Sequence, residues 1–294
     1  MLEKTAKQKF SNYFCKMKLK HFLYALIIYS LIACNSNSSK NNIGKKDSLN
    51  NLNNNSNAYS ETIINLMQQV NKYPDSTGLR LQLATILDSI SDYKNAILQM
   101  DTLIKKDSTN YGLYFAKAQI LQDAKDTLQA ERTLIKAIKI YPSPDALLSL
   151  ANLYAEQKNP ESLLICSRVK DLGQGKDYDA HCAFIAGVYN ARTGNKNQAL
   201  KLFDTCIANN YTYMEAYIEK GLIYFNSKQY RQALQVFQFA STVNNLYADA
   251  YYYMARCYEM LNVKDSADLR FRQSLSLDKT LVEAQEGLKR LQSE

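Results

Sequence analysis

Small residues recur at a fixed spacing along most of the chain and indicate a helical repeat. They come in pairs twelve positions apart, and the pairs are Ala84 with Ala96, Ala118 with Ala130, Gly187 with Ala199, Gly221 with Ala233, and Ala255 with Ala267. Large apolar side chains stand three positions from the first member and four positions after the second, which is the spacing of one helix face. Small residues in the middle of two antiparallel helices let the backbones approach closely. The pattern therefore predicts six helix hairpins over residues 77–281.

The third repeat, residues 144–177, departs from this pattern. Its twelve-residue interval joins Ala151 to Leu163, so the second small residue is missing, and Ser167 stands where the other repeats have a large apolar group. We expect looser helix packing in this repeat, because fewer apolar atoms fill the space between its helices.

Two single helices are predicted at the ends of the repeats. Residues 58–76 place apolar groups on one helix face from Ile63 to Val70 and predict a leading helix, and residues 282–294 predict a capping helix. End helices shield a repeat core from water. The predicted fold class is all-α, an α-solenoid of about six helix hairpins with a leading helix and a C-terminal capping helix.

The period of these pairs points to a known family. Their second members, at positions 96, 130, 163, 199, 233 and 267, recur with a period of about 34 residues. Together with the segment Tyr230-Arg-Gln-Ala-Leu234, followed by Phe237 and Ala240, this period resembles the tetratricopeptide repeat (TPR) family. The resemblance covers residues 77–281. It implies a stack whose first helices line a concave groove that binds proteins or peptides.

The family register also implies which residues line that groove. The exposed inner positions would be Leu81, Phe115, Leu148, Phe184, Val188, Ile218, Leu222, Phe225, Tyr252 and Arg256. An exposed apolar stripe of this kind commonly binds an amphipathic helix or an extended peptide, and we expect Phe184, Leu222, Phe225 and Tyr252 to be its anchors. In the alternative, these residues pack against neighbouring helices.

The N-terminal segment that ends at Ala33 has the pattern of a secretory signal peptide. A basic stretch ending at His21 precedes an apolar run, Phe22 to Ala33, that is too short for a membrane-spanning helix. Met17 is a second candidate start. The tetrapeptide Leu31-Ile32-Ala33-Cys34 resembles the bacterial lipobox, which implies that Cys34 becomes the first residue and carries lipid. The alternatives are an ordinary cysteine after a signal peptide and an uncleaved anchor.

A lipid on Cys34 would place the protein in the bacterial cell envelope. Residues 34–57 would then be a disordered tether, because ten asparagines and five serines occupy positions 35–57. No acidic run follows Cys34, so we expect a periplasm-facing protein on a bacterial membrane, with the outer membrane favoured.

Charge and reactive residues restrict the chemistry. The formal charge is +8, but six of the 36 basic residues and one of the 28 acidic residues precede Cys34. The charge of the remaining residues is therefore nearly balanced and does not indicate a surface that binds nucleic acid. The two histidines are His21, in the predicted leader, and His181. We therefore expect no metal, no cofactor and no catalytic site.

Four cysteines follow the predicted leader and its lipidated residue: Cys166, Cys182, Cys206 and Cys257. We expect free, mostly buried thiols, with Cys166 and Cys182 at different heights on neighbouring helices, and a disulfide stays open as the alternative. The predicted function is a membrane-anchored adaptor that binds proteins. The alternative is a lipoprotein that binds a solute or a glycan.

Overall fold

A computed structural model describes residues 59–293 and contains only helices, turns and loops in this range. In chain order the fourteen described helices are α1 (Glu61–Lys72), α2 (Thr77–Ser89), α3 (Tyr93–Lys106), α4 (Tyr111–Asp123), α5 (Thr127–Ile140), α6 (Pro144–Glu156), α7 (Glu161–Asp171), α8 (Lys176–Thr193), α9 (Lys196–Asn209), α10 (Met214–Asn226), α11 (Tyr230–Val243), α12 (Ala248–Met260), α13 (Lys264–Leu277) and α14 (Val282–Ser293). The predicted all-α repeat fold is confirmed. Cys34, the predicted signal peptide and the predicted tether lie outside the described residues.

The chain divides into two compact units at residue 146. In unit 1, α1 precedes the hairpins α2–α3 and α4–α5. Unit 2 starts at Leu147, near the beginning of α6, and contains the rest of that helix, α7, the hairpins α8–α9, α10–α11 and α12–α13, and the final helix α14.

Each hairpin turns at one residue in the left-handed backbone region. Ser91, Lys125, Lys158, Lys228 and Asn262 have φ between 58° and 64°, and Gly194 occupies the same place with φ of 92°. This conformation is costly for residues with a Cβ atom, so its recurrence shows that the turn geometry is required for the hairpin. In the first two hairpins an aspartate follows this residue and caps the next helix: Asp92 accepts from the Asn95 backbone N–H, and Asp126 accepts from that of Gln129.

The two helices of a hairpin approach each other where a small residue meets a large one. A Cβ atom added at Gly187 would lie 2.6 Å from a ring carbon of Phe203, and one added at Gly221 would lie 2.3 Å from a ring carbon of Phe237. Both phenylalanine side chains are fully buried. In α4 and α5, Ala118 and Leu134 stand at the corresponding positions and are also fully buried. The repeat pattern in the sequence is thus the pattern of closest helix approach.

The buried positions of the third repeat follow a shifted register. Ser162 and Cys166 of α7 are buried, whereas Leu163 and Ser167 are not core residues. Ser162 therefore takes the place of the second small residue, and Cys166 takes the place that Phe203 holds in the fourth repeat. The prediction that Leu163 is the second member of the pair and that Ser167 stands at the large apolar position is wrong. In this repeat the second small residue, Ser162, follows Ala151 by one position fewer than in the other repeats.

The first and last helices cover the ends of the two units. Ile63, Leu66, Met67 and Val70 of α1 pack into the core of unit 1, and Ala284, Leu288 and Leu291 of α14 pack around Phe271 in unit 2. Between Tyr59 and Ser293, no helix has both the length and the apolar character required to cross a membrane.

Candidate functional site

Four of the ten residues predicted to line a groove are core residues in the structure. The exposed fraction is 1% for Leu148, Phe184 and Ile218 and 0% for Val188, so the expectation that they are exposed is wrong. Phe184 shows the reason: its ring centroid lies 5.8 Å from that of Phe203 on α9 and 5.1 Å from that of Tyr213 before α10. The Phe184 ring therefore packs between helices and is not exposed in a groove.

The other six residues keep part of their surface. Leu81 and Phe115 are half-buried in unit 1, and Leu222, Phe225, Tyr252 and Arg256 are half-buried in unit 2. The last four lie on α10 and α12, the first helices of the fifth and sixth repeats. We call these four residues the α10–α12 face. Binding of a partner to this face stays a prediction.

Aromatic and charged groups contact each other directly on the α10–α12 face. The Arg256 guanidinium carbon lies 5.8 Å from the centroid of the Phe225 ring, a cation–π arrangement that joins α12 to α10. One guanidinium N–H of Arg256 donates to the Tyr252 hydroxyl at 3.2 Å, and another nitrogen lies 2.9 Å from a Glu259 carboxylate oxygen. The positive charge on this face is therefore already paired, while the apolar edges of Leu222 and Phe225 stay accessible.

An ion cluster joins three helices, one of which is α10. Arg192 of α8 donates to both carboxylate oxygens of Glu156 on α6 at 2.9 Å, and to those of Glu219 on α10 at 2.6 and 3.0 Å. Glu219 is 2% exposed. Burial alone lowers the pKa of Arg192, but the two carboxylates outweigh it and raise that pKa above its ordinary value. Arg192 is therefore a charged structural link that holds α6, α8 and α10 together.

A second ion cluster joins α12 to α14, the last described helix. Glu259 of α12 accepts from Arg290 of α14 at 2.8 and 3.1 Å, in addition to its contact with Arg256. The first helices of unit 2 and α14 are thus linked in sequence through Arg192, Phe225 with Arg256, and Glu259. These links hold the α10–α12 face in place.

The sequence contained a signal for these clusters that our prediction missed. Glu156 and Arg192 both stand five positions after the small residue of their first helix, so opposite charges occupy one repeat position in neighbouring repeats. Arg256 and Arg290 are separated by one repeat period, with Glu259 between them. For Glu156 and Arg192, opposite charges at equivalent positions of adjacent repeats mark a contact between first helices.

The four cysteines of the described chain are buried and form no disulfide in the structure, as predicted for them. The expectation that Cys166 and Cys182 stand at different heights is wrong, because the Cys182 thiol donates to the Cys166 carbonyl oxygen at 3.4 Å. The register shift in α7 explains the error. Among residues 59–292, no group of three histidine, cysteine, aspartate or glutamate side chains is placed to hold a metal ion.

Comparisons with known proteins agree on the type of repeat. A sequence model of the tetratricopeptide repeat matches residues 111–144 and 215–244, and a second model of the same description matches residues 249–278. No curated protein sequence matches the chain.

Solved structures share the fold at low sequence identity. A tetratricopeptide repeat protein from Parabacteroides merdae is 16% identical, with a TM-score of 0.65, over 83% of this chain and 99% of its own. PilW, a type IV pilus biogenesis factor, is 18% identical, with a TM-score of 0.57, over 72% of this chain and 96% of its own. The APC/C hetero-tetramer Cut9–Hcn1 is 15% identical, with a TM-score of 0.55, over 79% of this chain and 46% of the matched chain.

These repeats support a role in protein–protein interaction, since stacked helix hairpins create extended binding surfaces and the fold is typically a non-enzymatic scaffold. The helix hairpins, their period and the matching repeat models together identify the chain as a tetratricopeptide repeat protein.

Proposed function

We propose that this protein is a lipid-anchored adaptor of the bacterial cell envelope that faces the periplasm and binds a segment of another protein on its α10–α12 face. The observation that carries the binding proposal is the half-exposed row Leu222, Phe225 and Tyr252 on two adjacent first helices. Apolar and aromatic groups on a rigid support supply most of the affinity in protein interfaces.

The chemistry of the face defines the kind of partner. Arg256 is occupied by Phe225, Tyr252 and Glu259, so the face offers apolar edges more than free charge. A partner segment with two or three apolar anchors, presented by an amphipathic helix or an extended peptide, matches these edges. A segment recognised only through a terminal carboxylate does not match them.

The anchoring part of the proposal comes from the N-terminal sequence. A basic segment, an apolar run and the lipobox-like Leu31-Ile32-Ala33-Cys34 precede the Asn- and Ser-rich positions 35–57. A lipidated Cys34 would hold the protein on a membrane, favoured here to be the outer membrane, because each buried CH₂ group contributes about 0.8 kcal/mol. The polar positions that follow would let the repeats reach partners away from the bilayer.

The test places a photo-crosslinking amino acid at Phe225 in intact cells that also take up an alkyne-labelled fatty acid. We expect one dominant envelope protein in the crosslinked product, because partner side chains would lie against the accessible Phe225 edge, and we expect the fatty acid on the same protein. Changing Cys34 to serine should remove the label and the membrane association. Cys15→Ser is the matched control and should change neither.

A second pair of variants separates binding from folding. Leu222→Asp should reduce the crosslinked product at least about tenfold, because a carboxylate would be desolvated by a bound partner. Phe239→Asp is the control, since Phe239 on α11 is 57% exposed and lies outside the α10–α12 face. The binding proposal fails if Leu222→Asp folds and crosslinks normally. The anchoring proposal fails if Cys34→Ser keeps the lipid label.

A further inference from the structure

The second helix of the third repeat contacts the fourth repeat through a pair of thiols. Cys166 lies on α7 and Cys182 on α8, with exposed fractions of 4% and 0%. The Cys182 thiol donates a hydrogen bond to the Cys166 carbonyl oxygen, with 3.4 Å between the sulfur and that oxygen. Cys206 and Cys257 are also buried and belong to α9 and α12.

The repeat register shows what this thiol pair replaces. Cys166 holds the position of Phe203, Phe237 and Phe271, and Cys182 holds the position of Ala216, which follows it by one repeat period. In the later repeats a large ring therefore packs where α7 supplies only a thiol. With 11 residues, α7 is the shortest described helix, and it lacks this ring.

We propose that Cys166 and Cys182 form a disulfide that covalently fastens α7 to α8. In the reaction, the thiolate of one of the two cysteines attacks the disulfide of an oxidant, either a small-molecule disulfide or a thiol–disulfide oxidoreductase, and releases one thiol of that oxidant. The other cysteine then displaces the second thiol, so the protein loses two protons and two electrons and the oxidant becomes two thiols.

The two sulfurs differ in their surroundings in the packed structure. Once deprotonated, Cys182 accepts a hydrogen bond from the Cys166 thiol, which lowers the pKa of Cys182 and raises that of Cys166. In the packed structure, Cys182 is therefore the more easily ionised thiol of the two. Because both sulfurs are buried, the exchange takes place before α7 packs onto α8 or when α7 opens locally.

The disulfide would supply the attachment that the missing ring does not. The bridge closes the chain from Cys166 to Cys182 across the loop that contains Gly173 and Gly175, which restricts the unfolded chain and favours the folded state. Oxidation in cells presupposes the export proposed above, since disulfides persist in oxidising compartments. Bridge formation in the purified protein does not depend on export.

The test uses the full chain, unfolded with reductant and refolded in a buffer of reduced and oxidised glutathione. Free thiols are then alkylated and the protein is digested with trypsin. Because trypsin cleaves after Lys158, Arg168, Lys176 and Arg192, Cys166 and Cys182 fall in separate peptides, 159–168 and 177–192. We expect these two peptides to be joined, Cys206 and Cys257 to be alkylated, and the midpoint of thermal unfolding to rise by about 5–10 °C over the reduced protein.

Serine variants supply the controls. Cys166→Ser and Cys182→Ser should each abolish the joined peptides and the rise in the midpoint, and Cys257→Ser should keep both. Alkylation of both Cys166 and Cys182 after oxidative refolding would overturn the proposal, and so would a link between Cys182 and Cys206.

The same tryptic digest is then applied to protein taken from acid-quenched cells. It distinguishes a failure of the disulfide proposal from a failure of the export proposal. Joined peptides from cells support both. Joined peptides from refolded protein but alkylated cysteines from cells would support the disulfide site and contradict export to an oxidising compartment.

Discussion

At the scale of single residues, the repeats of this protein balance volume between facing positions. Phe203 and Phe237 each face a glycine, whereas Met100 and Leu134, at the corresponding positions, stand in repeats that carry Ala84 and Ala118. The sixth repeat has Ala255 with Phe271, and there the glycine comes from α14, because Gly287 lies against the Phe271 ring. A larger ring at one position is therefore accommodated by a missing Cβ atom nearby.

This balance predicts the effect of adding one methyl group. Gly221→Ala should lower the free energy of unfolding by about 1–3 kcal/mol, because the new Cβ would stand 2.3 Å from the fully buried Phe237 ring. Urea unfolding followed by circular dichroism measures the change.

A second substitution and a control make this prediction specific. Phe237→Leu in the same chain should recover part of the lost stability, since it recreates the Ala118 and Leu134 combination of the second repeat. Gly78→Ala, with no atom within 4 Å of the added Cβ, should not destabilise the protein. An equal loss for the Gly78 and Gly221 variants would contradict the volume argument.

At the scale of helices, a largely buried ion cluster links α6, α8 and α10. The guanidinium of Arg192 is shared by Glu156 and Glu219, and the Glu219 side chain is 3% exposed. Removing one partner of such a cluster leaves a desolvated charge without compensation. The orientation of α8 relative to α6 and α10 therefore depends on Arg192.

We predict that Arg192→Ala lowers the free energy of unfolding by about 3–5 kcal/mol, because it leaves the Glu219 carboxylate buried without its cation. Adding Glu219→Gln should restore part of this loss by removing the unpaired charge. Arg272→Ala, which breaks an exposed pair with Asp268, is the control and should have no measurable effect on stability. Chemical denaturation of the four proteins measures these differences. An Arg192→Ala variant with an unchanged free energy of unfolding would refute the linking role.

The sequence predicted the repeats better than it predicted the candidate site. Helix positions and the repeat period followed from small and large residues alone, because close packing allows few alternatives at Ala118 or Gly221. The exposure of Phe184 and Ile218 could not be obtained in this way. It depends on where the neighbouring helices lie, and a side chain on the first helix faces both its partner helix and the surface within one turn. The register of α7 was missed because Ser162 and Cys166 satisfy the packing with residues that are neither alanine nor phenylalanine.

At the scale of the whole described chain, stability is distributed among repeats that depend on their neighbours. In unit 2, Phe271 of α13 is covered by α14 through Ala284, Leu288 and Leu291. In repeat proteins, the loss of an end helix is felt mainly by the repeat beside it. Local changes at the C-terminus should therefore stay local.

Detaching α14 tests this expectation. Leu288→Asp should increase amide hydrogen exchange in α12 and α13 at least about tenfold, because a carboxylate beside Phe271 would lose part of its hydration, while exchange in α2 and α3 should be unchanged. Lys289→Asp alters the adjacent, exposed position and should leave the exchange pattern intact. Uniformly faster exchange across both units would show instead that the chain unfolds as a single cooperative body.

The left-handed turn inside every hairpin has a consequence for how such a chain can change length. Five turns have φ within a few degrees of 60°, and the sixth has a glycine at the same place. A recombination event that joins one turn to the equivalent turn of another repeat would therefore create a backbone junction that the protein already contains. Whole hairpins can be gained or lost by duplication or deletion of the gene segment without the need for a new loop.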